Sequence, residues 1–498
     1  MEQYDILIIG SGFGGLVCAD VLSREGFKVC VLEKNAVPGG CLQTYKRKGK
    51  IFDTGIHYVG CLDDGQVLNQ YFKYLGIMDR LKIKRLDEDG FDVINIMGKE
   101  YKHAMGHENF IETLSSRFPK ERENIKKIVY ELKKIGDSIG IEVLREKNVF
   151  SVLGLSYFNR SAYQYLKENT NGNRELLDVF LGSVDLCGER DNISLYVYAM
   201  IINSNIESSY RFVDGSRQVA DLLVQNIEKN GGEVRTNAEV TRINVRDGLM
   251  SSVEINRSEL IKSKFCISDI HPSRTLELVE KTNIIKKAYI SRINSLRESM
   301  GFFTVSVVFK ENAFEYQNKN NYYYDSPQIY TSENYCKNPG KKMLFCTSIS
   351  SSSEKYASVA QLLEPMFWSE MEKWIDTTVE RRGEEYLKFK QYRAELLLDL
   401  MEKYRPGFKQ TIDSYYTSTP LTYRDYTGTK NGSAYGIVKH YDNALASLLP
   451  TKTRIPNLYF TGQNNNVHGM IGVILTAMYT CAEFTDMKTL AKKIGDAC

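Results

Sequence analysis

The sequence opens with a short apolar run that ends in glycines. Residues 4–9 are apolar apart from one aspartate and lead into a loop with the pattern GxGxxG. Such a run predicts a buried strand, a tight turn and then a helix. The turn lets backbone amides approach a pyrophosphate, and the helix start turns its positive end toward the phosphates. The predicted phosphate-binding loop consists of Gly10, Ser11, Gly12, Phe13, Gly14 and Gly15.

A helical pattern and a second strand complete this dinucleotide-binding unit. Val17 and Val21 lie four positions apart, as on one face of a helix, and Gly26 ends the pattern. Residues 27–32 form a second apolar strand, and Glu33 follows it. An acid about 20 residues beyond the glycines is typical of one that binds the ribose hydroxyls. The alternative is a plain glycine turn with Glu33 as a solvated loop residue.

Two further segments resemble those of a known group of flavoproteins. Lys34 and a turn at Gly39 and Gly40 follow Glu33, and residues 52–58 read Phe-Asp-Thr-Gly-Ile-His-Tyr. This combination is similar to the FAD-binding region of the phytoene desaturase, carotenoid isomerase and retinol saturase superfamily. Its His-Tyr ending most resembles the retinol saturase group. The resemblance implies FAD as the prosthetic group, with Lys34 and Gly40 among the residues that hold it.

The resemblance extends to the end of the chain. It implies that the backbone of Val240 holds the adenine, and it places a strand at residues 457–461 next to the cofactor. A helix that starts after His468 directs its amides and dipole toward a negatively charged ring edge, which stabilises a reduced flavin. Relatives usually carry Gly-Asp, Gly-Glu or Gly-Ala where this chain has Gly-Gln. The implied contacts in this region are Gly462, Gln463, Met470 and Ile471.

The order of these segments implies an α/β fold. The FAD-binding domain is expected to be discontinuous, Rossmann-like and of the glutathione reductase/amine oxidase type, with an inserted α+β substrate domain. The length of 498 residues exceeds a single core and suits two domains. The expected division gives 1–61, 207–298 and 442–498 to the FAD-binding domain, 62–206 to a helical substrate or lid part and 299–441 to a substrate part with strands and helices. Within this division, the aromatic-rich residues 149–166 suit either core packing or a lipid-facing lid or tunnel wall.

Charge and cysteine usage exclude several classes of function. Lys and Arg number 65 against 62 Asp and Glu, so the net charge of +3 gives no argument for nucleic acid as a partner. The 10 cysteines form no CxxC pair, which favours free thiols in a reducing compartment over a disulfide scaffold or a zinc site. His103 and His107 are four residues apart, but Gly106 between them opposes a helix. No metal site is predicted.

The sequence predicts a cytoplasmic protein. No signal peptide is expected, because the first strand is predicted to begin at residue 4. The most apolar stretch, residues 470–482, is shorter than the roughly 20 residues that a membrane span needs. Peripheral contact with a membrane stays open as an expectation, because a hydrophobic substrate has to be taken out of a bilayer.

The resemblance implies a reaction at a carbon-carbon double bond of a hydrophobic polyene, isoprenoid or enone. A hydride would pass from flavin N5 to one alkene carbon, and a proton would be added to the next. His57 and His468 belong to segments expected on the two sides of the flavin, and a histidine that titrates near neutrality can give a proton. Tyr435, Tyr58 and water are the alternatives to these two histidines as the proton donor.

Three functions remain open from the sequence. The first is a saturase of a polyene lipid, and the second is a carotenoid or phytoene desaturase or a cis-trans isomerase on the same scaffold. The third is a non-catalytic prenyl-lipid binding protein that resembles the GDP-dissociation inhibitors. No second GxGxxG follows downstream, so the reductant is expected to be a redox partner protein or a transiently bound NAD(P)H.

Overall fold

The computed structural model describes residues 3–138, 156–186, 188–326 and 338–497. The strands are β1 (Gln3–Ile9), β2 (Val29–Leu32), β3 (Thr44–Arg47), β4 (Lys50–Asp53), β5 (Val59–Gly60), β6 (Ile83–Arg85), β7 (Asp92–Ile96), β8 (Lys99–His103), β9 (Ser209–Phe212), β10 (Glu233–Arg235), β11 (Val240–Arg246), β12 (Leu249–Ile255), β13 (Glu259–Ser268), β14 (Gly301–Phe309), β15 (Asn320–Tyr324), β16 (Lys342–Thr347), β17 (Val359–Met366), β18 (Ile412–Ser418) and β19 (Leu458–Phe460). The α-helices are α1 (Phe13–Arg24), α2 (Val67–Tyr74), α3 (His107–Arg117), α4 (Arg122–Asp137), α5 (Ala162–Asn169), α6 (Arg174–Phe180), α7 (Leu195–Glu207), α8 (Arg217–Lys229), α9 (Pro272–Leu278), α10 (Lys287–Asn294), α11 (Gly383–Tyr404), α12 (Phe408–Thr411), α13 (Pro420–Thr427), α14 (Ala444–Ser447), α15 (Gly469–Cys481) and α16 (Met487–Asp496).

The first sheet has a parallel centre. Its strands follow the order β10-β2-β1-β13, and β19 pairs in parallel with β13. The Ile, Leu and Val side chains of β1 and β2 are buried, as expected for strands covered on both faces. Helix α1 packs against both α8 and α15, and β11 and β12 continue the sheet as an antiparallel hairpin. The carboxyl ends of the parallel strands therefore meet at one edge, where doubly wound sheets bind ligands.

The second sheet follows the order β18-β14-β17-β16-β15-β7-β8. All of its pairs are antiparallel except β15 with β7. Strand β15 shows the two faces: Tyr323 packs in the hydrophobic cluster that includes α11, whereas Tyr322 and Tyr324 belong to the cluster that includes α1 and α15. This is the alternation of side chains along a strand. The α/β class, with a sheet assembled from separate parts of the chain and a second sheet inserted, confirms the predicted fold.

Two segments contain different elements from those that the sequence indicates. The expected helical segment 62–206 also contributes β7 and β8 to the second sheet and β6 to a small sheet with β5 and β9. The highly charged residues 370–404 have the pattern of one long helix, but a 3-10 helix covers Trp368–Trp374 and α11 begins only at Gly383, whose φ is +80°. Residues 149–155 of the aromatic segment lie outside the described residues.

The helices of the described ranges include none that is long and apolar enough to cross a membrane. The apolar residues after His468 form α15, which has 13 residues and is almost entirely buried against the rest of the molecule. Its hydrophobic character is therefore that of a core helix.

Candidate functional site

A groove of about 650 Å³ runs along the carboxyl edge of the first sheet. We call it the cofactor groove. Of the residues predicted to bind a cofactor, it is lined by Gly10, Ser11, Gly12, Phe13, Gly14, Glu33, Lys34, Gly40, Val240, Gly462, Gln463 and Met470. Gly15 lies beneath the loop outside the lining, and Ile471 lines a second cavity that adjoins the groove. The structure thus brings together segments that are up to 460 residues apart in sequence.

The glycine loop has the geometry of a phosphate cradle. Gly10 follows β1 with a φ of +94°, a conformation that residues with a side chain rarely adopt, and α1 begins at Phe13. A Cβ atom on Gly15 would collide with the carbonyl oxygen of Gly10, so only glycine lets α1 lie this close to the strand. The first residues of α1, Phe13 and Gly14, line the groove, and a helix start at this place is the usual arrangement for binding a diphosphate.

Glu33 lies at the end of β2, opposite the loop. Its Oε2 accepts hydrogen bonds from the Ser11 hydroxyl (2.5 Å) and the Ser11 amide (3.1 Å). Its Oε1 accepts one from the Asn35 amide (2.8 Å). These three donors fix a buried carboxylate beside the groove, where it has the position and chemistry to accept hydrogen bonds from a ribose diol.

Asp269 is a groove residue that the sequence analysis does not select. It follows β13, and its carboxyl group lies under the glycine loop, where a Cβ atom on Gly14 would come within 2.7 Å of Oδ1. Burial raises the pKa of Asp269 to about 7, although the amides of Gly15 and Gly12 stabilise its charged form. Its position after a central parallel strand is the signal that could have identified it.

The groove is closed on one side by helix α13. The Lys34 ammonium donates to the carbonyl oxygen of Asp425 (3.1 Å), and the Asn35 amide group donates to that of Tyr426 (2.8 Å). Lys34 therefore lines the groove and at the same time ties it to the C-terminal end of α13, 391 positions away in sequence.

A second cavity of about 200 Å³ adjoins the groove. We call it the inner cavity. The residues that line both spaces are Cys41, Ile56, Gln463, Gly469 and Met470. Much of the remaining wall is apolar and includes Met200, Ile201, Phe302, Leu344 and Leu363. The N-terminal residues of α15 stand at the junction, so the helix dipole is directed at the place where the two spaces meet.

The three predicted catalytic residues all line the inner cavity. Burial lowers the pKa of His57 to about 4, with the charge of Arg211 acting in the same direction, so its imidazole is neutral at neutral pH. His468 caps α15, and its ring lies 4.5 Å from that of Tyr435. The Tyr435 hydroxyl donates to the backbone carbonyl of Asp185 (2.9 Å).

The inner cavity also contains an ion pair that sequence analysis does not identify. Nζ of Lys342, on β16, lies 2.9 Å from a carboxylate oxygen of Asp185, and both residues line the cavity. The Lys342 side chain is 8% exposed. A buried ion pair in a largely apolar wall offers a polar contact for a hydroxyl or carboxyl group of a ligand.

Lys439 supports the junction from behind. Its buried ammonium group donates to the carbonyl oxygens of Ser447 (2.7 Å) and Asn464 (2.9 Å). Burial lowers the pKa of Lys439 to about 7, and the charge of Glu298 opposes this shift. The loop between β19 and α15 is thereby held in place by a residue whose role no local motif signals.

The donor set of the groove fits FAD and does not suit a metal. Amides at the start of α1 suit the diphosphate, Glu33 suits the ribose, and the apolar junction suits a flat ring system. Within the described residues, no group of three or more His, Cys, Asp or Glu side chains is arranged to hold a metal ion.

Comparisons with known proteins agree with this geometry. The family model for the flavin containing amine oxidoreductases matches residues 13–484. All-trans-retinol 13,14-reductase of Homo sapiens is 25% identical, over 99% of this chain and 88% of that protein. The chloroplastic prolycopene isomerase 1 of an Oncidium hybrid cultivar is 24% identical, over 93% of this chain and 80% of its own.

The fold is also found among solved structures. Cyclohexylamine oxidase from Brevibacterium oxydans superposes with a TM-score of 0.59 at 14% identity, over 97% of this chain and 99% of that one. The predicted FAD cofactor and the prediction of an enzyme are both confirmed by the family match. This chain belongs to the flavin containing amine oxidoreductase family and is an FAD-dependent oxidoreductase.

Proposed function

We propose that this protein reduces a carbon-carbon double bond in a hydrophobic polyene or isoprenoid. The observation that carries the proposal is the junction of the two spaces, since Cys41, Gln463 and Met470 line both the cofactor groove and the inner cavity. A ligand in the inner cavity would therefore touch the same residues as the end of the cofactor. Sequence similarity over nearly the whole chain to a protein named all-trans-retinol 13,14-reductase supports this reaction.

The wall of the inner cavity supports an elongated apolar substrate with one polar group. Apolar side chains such as Phe302 and Leu363 line much of it, and Lys342 and Asp185 add a buried ion pair. An apolar surface with few polar groups fixes a ligand by shape and orients it through those few contacts. We propose that the ion pair binds the hydroxyl or carboxyl head group of the substrate.

Reduced FAD would supply the hydride for this reaction. The protein's part is to hold the cofactor through the glycine loop and Glu33, to exclude water with the apolar wall, and to deliver a proton. The N-terminal amides of α15 add a positive dipole at the junction, which favours a negatively charged reduced ring.

The mass of the product tests the proposal. Protein loaded with FAD is reduced by light without oxygen and then mixed with all-trans-retinol, a carotenoid and an isoprenoid enone in turn. A product that has gained two hydrogen atoms supports the reductase. A product of unchanged mass and altered geometry supports the isomerase instead, and bound but unchanged polyene supports a lipid-binding protein.

Other expectations stay predictions. These are the cytoplasmic location, a peripheral membrane contact, the identity of the reductant as a partner protein or NAD(P)H, and the division into domains. The hydrophobic substrate proposed here favours a membrane as its source, because such a molecule partitions into lipid.

A further inference from the structure

Asp92 is a buried acid next to the inner cavity. It begins β7 and is 1% exposed. Its Oδ2 accepts a hydrogen bond from the Tyr58 hydroxyl (3.0 Å), and its Oδ1 accepts one from the side-chain amide of Asn320 (2.8 Å). The carboxyl group is therefore held from both sides.

Two tyrosine hydroxyls stand between Asp92 and the cavity. The hydroxyls of Tyr58 and Tyr322 are 2.8 Å apart, and both residues line the inner cavity, which Asp92 itself does not. The order from the cavity inward is thus a phenol hydroxyl and then a carboxyl group. Such a chain can pass a proton from a buried acid to a bound molecule.

The surroundings raise the affinity of Asp92 for a proton. Arg211, the nearest cation along this network, is bonded to Asn320 (2.5 Å), so that Asn320 stands between its guanidinium and the carboxyl group. Burial raises the pKa of Asp92 to about 7, in spite of the hydrogen bonds from Asn320 and Tyr58 and the charge of Arg211. The titratable and charged groups that face Asp92 are Tyr58, His103, Arg211, Tyr322 and Tyr324.

We propose that Tyr58 is the catalytic proton donor of the reductase proposed above and that Asp92 is the positioning acid that reprotonates it. The Tyr58 O–H bond breaks as its proton joins the alkene carbon next to the one that receives the hydride. When Asp92 is protonated, its Oδ2–H group donates to the Tyr58 oxygen across the same 3.0 Å contact and the Tyr58 O–H group is free to point to the cavity. The Asp92 proton moves to the Tyr58 oxygen as the Tyr58 proton leaves, and water later restores the proton on Asp92. Two electrons and one proton arrive with the hydride from the reduced flavin, and the second proton comes from Tyr58.

Two of the other candidate donors, His57 and Tyr435, are less suited by their surroundings. Burial lowers the pKa of His57 to about 4, so its neutral imidazole has no imidazolium proton to give at neutral pH. The Tyr435 hydroxyl is already committed to the carbonyl oxygen of Asp185. Tyr58, by contrast, has an acid as its neighbour.

Three variants of the FAD-loaded protein test the relay, with Tyr323→Phe as the matched control. Tyr323 lies on the same strand as Tyr322 but packs on the other face of the sheet, outside the cavity lining, and its hydroxyl accepts a hydrogen bond from Nε of Arg405 (3.1 Å). The rate measured is the reoxidation of photoreduced flavin by the polyene that reacts fastest with the wild type. Tyr58→Phe and Asp92→Asn should each slow this step about 100-fold or more, the usual contribution of a general acid. Tyr323→Phe should leave it within about threefold.

The pH profile separates proton delivery from a merely structural role. The wild-type rate should fall as pH rises through about 7, because Asp92 loses its proton there. In Asp92→Asn this fall should be absent. Equal losses in Tyr58→Phe and Tyr323→Phe, or an unchanged pH profile in Asp92→Asn, would overturn the relay.

An infrared titration of the resting protein gives a readout that needs no turnover. Asp269 titrates in the same range, so the spectrum of Asp92→Asn is subtracted from that of the wild type. The difference should contain a carbonyl band of a protonated carboxyl group that disappears as pH rises through about 7. Absence of this difference band would overturn the relay even if the enzyme is active. If the band is present but no polyene reoxidises the wild-type flavin, the proposed function is wrong, whereas the protonated carboxyl group of Asp92 is confirmed.

Discussion

The carboxyl group of Asp269 lies directly against Gly12, so that a methyl group on Gly12 would overlap Oδ2. Two segments 257 positions apart, the loop after β1 and the end of β13, are thereby packed without space for a side chain at Gly12 or Gly14. The floor of the phosphate cradle is therefore an acid, and its charge matters for a cofactor that carries a diphosphate.

Replacing Gly12 by alanine should disrupt the cradle. The new methyl group must displace Asp269, and overpacking of this kind typically costs about 1–3 kcal/mol. We expect less FAD per protein after gel filtration and a lower unfolding temperature. In the double variant Gly12→Ala/Asp269→Ala the clash is removed, and FAD content should recover. No recovery would mean that Gly12 is needed for a reason other than this contact.

FAD should bind more weakly as pH rises through about 7. Asp269 is neutral below this pKa and negative above it, so ionisation places a charge beneath the diphosphate and also costs folding energy. In the unfolded chain this carboxyl group has the ordinary pKa of about 4. The free energy of unfolding is therefore highest below about pH 4 and falls as the pH increases toward about 7. Fluorescence of released FAD between about pH 6 and 8 measures the effect. Asp269→Asn should bind FAD equally over this range, and an unchanged pH dependence in that variant would contradict the assignment.

The ion pair of Lys342 and Asp185 should control head-group recognition. Lys342→Met leaves the carboxylate of Asp185 without this partner, which costs about 3–5 kcal/mol of folding free energy. Lys342→Met/Asp185→Asn removes both charges and avoids this cost. In the double variant we expect the KM for a polyene alcohol to rise about tenfold, which corresponds to 1.4 kcal/mol, roughly. The KM for the matching hydrocarbon should not change. Equal effects on both substrates would place the head group elsewhere.

Loss of Lys439 should loosen the flavin end of the groove. In Lys439→Met the carbonyls of Ser447 and Asn464 lose their donor, and a buried unsatisfied group costs about 1–3 kcal/mol. A lower unfolding temperature and faster FAD dissociation should follow. Lys452→Met is the matched control, since Lys452 is 63% exposed and pairs with Glu483 at the surface. If both variants behave alike, Lys439 does not support this loop.

The parts of the site that local sequence encodes could be predicted. The loop at Gly10, the acid Glu33 and the helix that starts after His468 each depend on residues close together in the chain. His271 likewise caps α9, as its position before Pro272 indicates, through a hydrogen bond from the Ser273 amide to its Nδ1. Local steric and capping rules determine all of these.

The groups that depend on distant contacts could not be predicted. Asp92 acquires its character from Tyr58, 34 positions away, and from the burial of β7 beside β15. Asp269 acquires its character from its position beneath the glycine loop that follows β1. The strands at 83–103 were hidden because short strands with mixed polarity give weak patterns, and their partners lie elsewhere in the chain.

The most direct test of the account is an anaerobic titration of the FAD-loaded protein, followed by the absorbance of the oxidised flavin. The protein is first reduced and then given all-trans-retinol, a carotenoid or an isoprenoid enone in stoichiometric steps. We expect that one of these polyenes restores the absorbance of the oxidised flavin in proportion to the amount added, and that one of its carbon-carbon double bonds is reduced. A flavin that stays reduced with every polyene would contradict the proposed reductase.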